Sequence, residues 1–265
     1  MRLRFKRKSL PTPVDGTSPI LHVAAPKPVG AALFRDLTVL KNIVVGLLAA
    51  WGLTQLANAW SLWSNYLFYK RLVANDFAAD EDIMAIATSM DNISSIVLWT
   101  SIGLFVLIVV SFCVWTYQAA RNAKALSALP QRMSPGWTVG WYFVPFANFW
   151  KPFQGMREIW WRSAWPQKKR APLILNIWWI LWITIGILDK AVGRSFNTDN
   201  LEILAITSAV GAVMSLLWLL PTLLLIWIVI RVTQMQIARR AANPETPADS
   251  WMLPADAPSG TESAV

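Results

Sequence analysis

The chain contains only one cysteine and one histidine in 265 residues, and this scarcity excludes several kinds of chemistry. Cys113 has no second thiol with which to form a disulfide or a thiolate metal site. His22 lies near the N-terminus, away from every long apolar run. A haem held by two histidines, a histidine-rich metal site and a serine–histidine hydrolytic pair are therefore excluded within a membrane domain, and we expect no metal and no cofactor.

Charge is scarce as well, at 15% of residues against about 25% in soluble proteins. The chain has four long uncharged runs instead. Three have 28 residues, at 42–69, 93–120 and 203–230, and the fourth has 18 residues, at 171–188. A helix needs roughly 20 apolar residues to cross the hydrocarbon core of a bilayer. The runs predict an all-α membrane protein with four transmembrane helices. Pro221 should kink the fourth of them.

The cations are distributed unevenly between the segments that flank these runs. Of 24 lysines and arginines, 20 lie before the first run, between the second and third, or after the fourth. This asymmetry predicts that both termini and residues 121–170 are cytoplasmic. The net charge of +9 is then explained by topology and by attraction to anionic lipid headgroups, rather than by a nucleic-acid partner.

The two ends of the chain differ in composition from the middle. Residues 1–36 combine a basic cluster with several prolines, and residues 241–265 are rich in proline, alanine, serine and acidic residues. Both compositions are typical of disordered tails. We therefore predict a four-span membrane domain at 37–240, with a basic cytoplasmic tail before it and a second tail after it.

The first predicted span carries polar side chains at a helical spacing. They are Thr54, Asn58, Ser61 and Asn65, and their separations of 4, 3 and 4 residues place them on one helix face. An unpaired amide near the bilayer centre is costly, so we expect this stripe to face other helices. Hydrogen bonds between helices are the favoured interpretation, and the wall of a polar passage is the alternative.

Residues 134–165 lie between the second and third runs and are too broken to form a fifth span. The stretch 137–150 has 14 uncharged residues, which as a helix would reach only about 21 Å. Gly140 and Pro145 interrupt it further. We predict a cytoplasmic segment that either re-enters the bilayer or lies along its surface. Pro135 and Gly136 should form the turn that begins it.

A helix is predicted from Lys151, with Pro152 tolerated in its first turn. Met156 and Trp160 fall on an apolar face while Arg157 and Arg162 lie largely off it, which is typical of an interfacial amphipathic helix. Glu158 is the only acid between Asp91 and Asp189. We expect it to pair with Arg162 four residues on. The alternative is a desolvated carboxylate that pairs with Arg121 or Arg157 and holds the segment in place.

Several short motifs together resemble a bacterial integral-membrane family catalogued only as a domain of unknown function. The resemblance covers roughly residues 40–235 and implies a four-span domain of the bacterial cytoplasmic (inner) membrane, with no established activity. The residues that carry it include Ser134, Gly140 and Met156. The others that carry it are also our candidate site residues: Arg121, Asn122, Pro135, Gly136, Trp137, Trp141, Pro145, Asn148, Pro152, Arg157, Glu158 and Trp160.

The sequence favours a non-enzymatic membrane module that binds lipid or a protein partner through this Trp- and Arg-rich segment. The alternative is a transporter or channel component, which with four spans would have to assemble as an oligomer. An enzyme is disfavoured because the chain has no H-E-x-x-H motif, no G-x-S-x-G elbow and no acid or histidine near Glu158 in sequence.

Overall fold

We describe the protein from a computed structural model, which covers residues 34–80, 82–126, 132–164 and 172–242. Within these ranges the chain is almost entirely helical and contains no strand, which confirms the all-α prediction. The disordered tails predicted from composition lie almost wholly outside the described residues. The α-helices are α1 (Thr38–Ala74), α2 (Ile83–Ala125), α3 (Pro135–Gly140), α4 (Lys151–Ala164), α5 (Leu173–Arg194), α6 (Leu201–Leu217) and α7 (Leu219–Ala242).

Four helical stretches are long and apolar enough to cross a membrane, and the chain is a multi-pass membrane protein. They are α1, α2, α5 and the near-continuous pair α6–α7. The most apolar stretch of α2 has a mean hydropathy of 2.6, yet only 6% of it is buried inside the protein. An apolar surface of that kind is suited to lipid. Three of the four stretches extend well beyond the uncharged runs, because helices continue into the charged flanks.

The fourth span breaks at Trp218, between α6 and α7. Pro221 lacks an N–H and its ring crowds the carbonyl four residues earlier, at the end of α6. Thr222 compensates at the break, where its backbone N and its Oγ1 donate to the Trp218 carbonyl at 3.4 Å and 2.7 Å. The helix is therefore interrupted near the predicted kink, three residues before the proline itself.

The helices pack around α1, which lies along α6 and α2, while α5 packs on α7 and α6. At one end of the bundle the start of α1, the end of α2 and the end of α7 come together with α4. We call this the basic end, because most of the described lysines and arginines belong to it. The opposite end carries the α1–α2 and α5–α6 connections, and we call it the acidic end.

Candidate functional site

Residues 132–164 form a compact cap at the basic end. Ser134 begins α3, and its Oγ accepts a hydrogen bond from the Trp137 backbone N at 3.3 Å. Pro135 follows in the first turn, where its missing N–H costs nothing. The cap then returns through two 3-10 turns, Trp141–Phe143 and Ala147–Phe149, before α4. The turn predicted at Pro135 and Gly136 is thus the first turn of a short helix.

Gly155 is where the cap closes on itself. A Cβ at Gly155 would lie 2.9 Å from the Thr138 side chain and 3.5 Å from the Met133 sulfur. Real Cβ atoms do not approach other atoms as closely as the first of these distances. The absence of a side chain at Gly155 therefore allows α3 to lie directly against α4.

Phe146 lies at the tip of a tight turn between the two 3-10 turns. The Ala147 backbone N donates to the Pro145 carbonyl at 2.7 Å, which makes a γ-turn centred on Phe146. The φ of Phe146 is 62°, a left-handed value that is strained for a bulky residue. The ring is 78% exposed, so the turn projects an aromatic side chain away from the protein.

The apolar face of α4 packs against the protein, which differs from the expectation of a helix lying on lipid. Met156 is fully buried, and Trp160 is 2% exposed and stacks on Trp227 of α7 with ring centroids 5.6 Å apart. Arg162 is buried too, although its position off the apolar face suggested the headgroup level. The outward aromatic side chains belong to the preceding stretch. We call these the aromatic edge: Trp137, Phe143, Phe146, Phe149 and Trp150.

Glu158 makes the expected pair with Arg162, with Oε1 and Nε 3.0 Å apart. The same Oε1 also accepts a hydrogen bond from the Arg132 backbone N at 2.9 Å. The carboxylate thus ties the beginning of the cap to α4. The guanidinium groups of Arg121 and Arg157, the alternative partners, lie instead over the rings of Tyr117 and Phe153, at 5.9 Å and 5.5 Å.

Asn122, a motif residue, is at the centre of a buried hydrogen-bond network. Its Oδ1 accepts from the Arg35 backbone N at 3.0 Å, and its Nδ2 donates to the Arg35 carbonyl at 2.8 Å and to Gln236 Oε1 at 3.2 Å. Gln236 Nε2 donates in turn to Ser163 Oγ at 3.0 Å and to the Ala119 carbonyl at 2.9 Å. The network joins the chain before α1 to α2, α4 and α7.

Three members of this network were not singled out from the sequence. Gln236 and Ser163 sit in ordinary helical patterns, and Arg35 contributes only its backbone. One feature of the sequence could have identified Gln236, because it lies among apolar residues near the end of α7. An amide that is buried there requires hydrogen-bond partners. Arg239, one turn further on, donates through Nη1 to the Arg162 carbonyl and extends the connection between α7 and α4.

The polar stripe of α1 is largely used in hydrogen bonds. Asn58 Nδ2 donates to Ser215 Oγ of α6 at 2.8 Å, and Ser61 Oγ lies 3.0 Å from Ser94 Oγ of α2. Thr54 Oγ1 donates to the Trp51 carbonyl of its own helix at 2.8 Å. Asn65 is half-buried on the same face. This arrangement agrees with the favoured interpretation of contacts between helices.

A cavity of about 480 Å³ lies between α2 and α5, at membrane depth. Its lining includes Phe105 of α2, Trp182 of α5, Trp51 of α1 and Leu225 of α7. The lining also includes Asn148 of the cap and Lys190 of α5. No residue of the polar stripe lines it.

The remaining motif residues hold the cap together. Trp137 and Trp141 pack with ring centroids 4.8 Å apart, and Lys151 Nζ lies 5.4 Å from the Trp141 ring centroid. Pro152 is buried in the first turn of α4. Tyr142 is anchored beside α2, and burial of its hydroxyl raises the pKa of this tyrosine well above its usual range, with Cys113 adding to the shift.

In the part of the chain that the structure describes, the side chains form no metal-binding site. No three histidine, cysteine or acidic side chains are grouped there as metal ligands would be. Glu158, the one acid among the motif residues, makes both of the contacts described above through one oxygen. These side chains can hold the helices together and contact a lipid surface.

A family model described as a domain of unknown function (DUF4328) matches residues 76–234, from just before α2 into α7. The match covers more than half of the chain, and the chain belongs to this family. The resemblance identified from the motifs is confirmed. No curated protein and no solved structure matches the chain.

Proposed function

We propose that this member of the DUF4328 family is a non-enzymatic membrane module that binds anionic lipids at its basic end. The observation that carries the proposal is the exposed aromatic edge, with Phe146 at its tip. Aromatic side chains gather at membrane–water interfaces because their apolar rings and polar edges suit that zone. We place this end on the cytoplasmic side of a bacterial inner membrane, as the distribution of cations favours.

Cations beside the aromatic edge supply the preference for anionic headgroups. Lys151 follows Trp150 directly, and Arg157 is exposed one and a half turns further along α4. Each lysine or arginine near an anionic membrane surface contributes about 1 kcal/mol of binding. With the apolar face of α4 packed against the protein, the rings of the edge are the part of the cap that is free to contact lipid.

Backbone strain at Phe146 supports a binding role for this turn. A left-handed conformation costs an ordinary residue roughly 1–2 kcal/mol, and glycine would avoid that cost. Strain of this kind is typical of functional sites, where the surrounding structure imposes it. A phenylalanine at this position stabilises nothing inside the protein, because its ring points outward.

The test is lipid retention in nanodiscs that contain phosphatidylethanolamine and phosphatidylglycerol. We expect Lys151→Gln combined with Arg157→Gln to weaken the binding of phosphatidylglycerol to the protein by about thirtyfold, measured by native mass spectrometry. The matched control is Lys70→Gln with Arg194→Gln, which removes the same charge from the acidic end. Equal losses in both double variants would contradict the proposal.

A second variant separates the role of the tip from that of the charges. Phe146→Gly relieves the strained φ and removes the ring, so the protein should become more stable while it retains less lipid. Unchanged lipid retention would argue that the tip does not contact the membrane. Loss of a co-purifying protein with no change in lipid would instead identify a protein partner.

The transporter or channel alternative has less support. A polar passage along α1 would need free polar groups, and Asn58 and Ser61 are hydrogen-bonded to neighbouring helices. An oligomer could still create a path between copies. Solute flux into proteoliposomes, compared with empty vesicles, tests this directly, and flux above the empty-vesicle rate would favour a transporter over the lipid-binding module.

A further inference from the structure

The cavity between α2 and α5 is open on one side to the surroundings of the protein. Within the described ranges α2 packs on α1 and α5 packs on α6 and α7, but α2 and α5 hardly contact each other. Phe105 of α2 and Ile187 of α5 line the cavity and are 54% and 56% exposed. Because both helices are long and apolar enough to cross the membrane, the gap between them is accessible to the hydrocarbon chains of lipids.

One end of the cavity meets the aromatic edge at Phe149. This residue lines the cavity and is 50% exposed as a member of the edge. Its carbonyl accepts a hydrogen bond from Trp179 Nε1 at 2.9 Å, which fixes this end of the cavity to α5. A lipid that binds at the edge therefore lies at the entrance of the cavity.

Stacked rings connect a cation of the cap with the lining of the cavity. The Arg157 guanidinium lies over the Phe153 ring, 5.5 Å from its centroid. Phe153 stacks on Trp179 with centroids 6.1 Å apart, and Trp179 stacks on Trp182 at 5.1 Å. Trp182 lines the cavity. The cation that we propose to bind a headgroup and the wall of the cavity thus belong to one packed assembly.

The cavity is about as long as one leaflet of the bilayer is thick. Its lining on α5 runs from Trp178 to Lys190, which is about 18 Å of helix. Half of the hydrocarbon core is about 15 Å. A hydrocarbon chain that enters beside Phe149 therefore reaches the far end of the cavity near the middle of the bilayer. Since the lining is mostly apolar, the chain needs no polar partner on the way.

The distribution of charge favours entry from the basic end. Lys151 follows the entrance at Phe149 by two residues, and Arg157 is connected to it through the stacked rings. At the far end of the cavity the cation is Lys190, and the residue before it is an acid, Asp189. An anionic headgroup is therefore attracted more strongly to the end where two cations lie without an acid beside them.

We propose that the cavity binds one acyl chain of the anionic lipid whose headgroup lies at the aromatic edge. This inference rests on the proposed function, and adds to it a site and a direction for the chain. The phosphate lies near Lys151 and Arg157, the chain enters at Phe149, and its methyl end lies near Ile187. The chain is held by packing against the lining, because the bilayer is as apolar as the cavity and burial from water adds nothing.

The test uses two phosphatidylglycerol probes with a photoreactive diazirine on one palmitoyl chain, either near the carbonyl end or at the methyl end. The full chain is illuminated in nanodiscs, and the labelled residues are identified by mass spectrometry. The carbonyl-end probe should label residues around Phe149, and the methyl-end probe should label residues around Ile187. The reverse order of depth would place the headgroup at the acidic end and overturn the proposal.

Leu53 of α1 is the reference for unspecific labelling by lipid. It is 68% exposed and does not line the cavity. Leu53 and Ile187 lie at a similar depth, because each follows a glycine, and Cβ atoms at these glycines would lie 3.6 Å from Leu219 and 3.8 Å from Trp218. The methyl-end probe should label Ile187 about threefold more than Leu53. Equal labelling of the two would overturn the proposal.

Gly186→Leu fills the cavity at the depth of the methyl end. The new Cβ would make only an ordinary contact with Trp218, at 3.8 Å, so the helix can accommodate it. Labelling around Ile187 should then fall about threefold, to the level of Leu53, while labelling around Phe149 persists. If thermal unfolding shows that this variant is not folded, Ile183→Trp narrows the same part of the lining.

Gly103→Leu is the matched control for Gly186→Leu. It adds the same side chain on α2, at a position with open space around it and outside the lining. Labelling by both probes should stay as in wild type. An equal loss in the two variants would contradict the assignment to the cavity. A dimer in native mass spectrometry that Gly186→Leu dissociates would assign the cavity to a second copy of the chain and would also overturn the proposal.

Lys151→Gln combined with Arg157→Gln distinguishes this inference from the proposed function. If the double variant binds phosphatidylglycerol and is labelled at Ile187 like wild type, the proposed function is wrong and this inference falls with it. If the double variant loses phosphatidylglycerol while wild type shows no preference for Ile187 over Leu53, headgroup binding stands and only the site for the chain is wrong. Loss of both binding and Ile187 labelling in the double variant is the expected result.

Discussion

Two asparagines near the basic end, Asn122 and Asn148, show how differently the protein treats polar groups in two of its regions. The Asn122 amide uses both its oxygen and its nitrogen in bonds to Arg35 and Gln236, which connect three parts of the chain. The Asn148 side-chain oxygen is buried and has no partner among the described residues. A satisfied network stabilises one arrangement of helices, whereas a buried polar group without a partner costs free energy.

The network should carry the larger share of stability, and Asn122→Leu tests this most severely. The change leaves the Arg35 backbone N–H, the Arg35 carbonyl and Gln236 Oε1 without their partner. A buried unpaired group costs about 1–3 kcal/mol, and the Arg35 groups are only partly buried, so we expect a loss of about 2–4 kcal/mol in the free energy of unfolding. Reversible unfolding in mixed micelles of detergent and sodium dodecyl sulfate measures it.

Gln118→Leu is the control for that variant, on the same helix and one turn earlier. Its side-chain oxygen is buried and has no partner among the described residues, so replacing it should cost little. A loss in Gln118→Leu equal to that in Asn122→Leu would mean that any amide in this helix matters, and the comparison would fail.

An intermediate effect is expected for Glu158→Gln. Arg162 is 1% exposed, and without the carboxylate its charge would be buried with weaker compensation. The glutamine oxygen can still accept a hydrogen bond, so we expect a loss of about 2–3 kcal/mol, again from unfolding in mixed micelles. Asp199→Asn, an exposed acid in the α5–α6 connection, should change stability by less than about 0.5 kcal/mol. A Glu158 variant as stable as wild type would show that the pair does not hold the cap.

The smallest changes in the free energy of unfolding are expected at two adjacent tryptophans, compared in protein without added lipid. Trp179→Phe removes the donor to the Phe149 carbonyl and should cost about 1–2 kcal/mol of unfolding free energy. Trp178→Phe removes an indole N–H that has no partner among the described residues, so stability should stay the same or rise slightly. Thermal unfolding of the delipidated protein measures both. If Trp178→Phe is the more damaging change, its indole N–H already has a partner within the protein.

Much of the fold follows from the sequence because a bilayer imposes a length on every helix that crosses it. The uncharged runs identified all four spans, and Pro221 identified the break in the fourth. The length of a helix over residues 137–150 also showed that this stretch is too short to cross the membrane. In the structure it contains a short helix and two 3-10 turns. The helix ends were less well predicted, since charged flanks continue the helices past the apolar runs.

The surroundings of the apolar face of α4 were predicted wrongly. An amphipathic pattern identifies an apolar face but does not show whether protein or lipid covers it. Trp160 meets Trp227, which is 67 residues further along the chain, instead of lipid. Arg162 was expected near the headgroups and is buried, with Glu158 as its partner. Nothing in the local spacing of these residues distinguishes a protein surface from a membrane.

By itself, the sequence determined the class of protein, the number of spans and the place of the cap, because hydrocarbon thickness and charge distribution act locally along the chain. Only the tertiary structure decided which polar groups have partners. Asn122 and Gln236 are 114 residues apart, and Trp179 donates to the Phe149 carbonyl 30 residues earlier only because α5 folds back beside the cap. Hydrogen bonds require atoms within about 3 Å, and which distant residues come that close depends on the packing of the whole bundle.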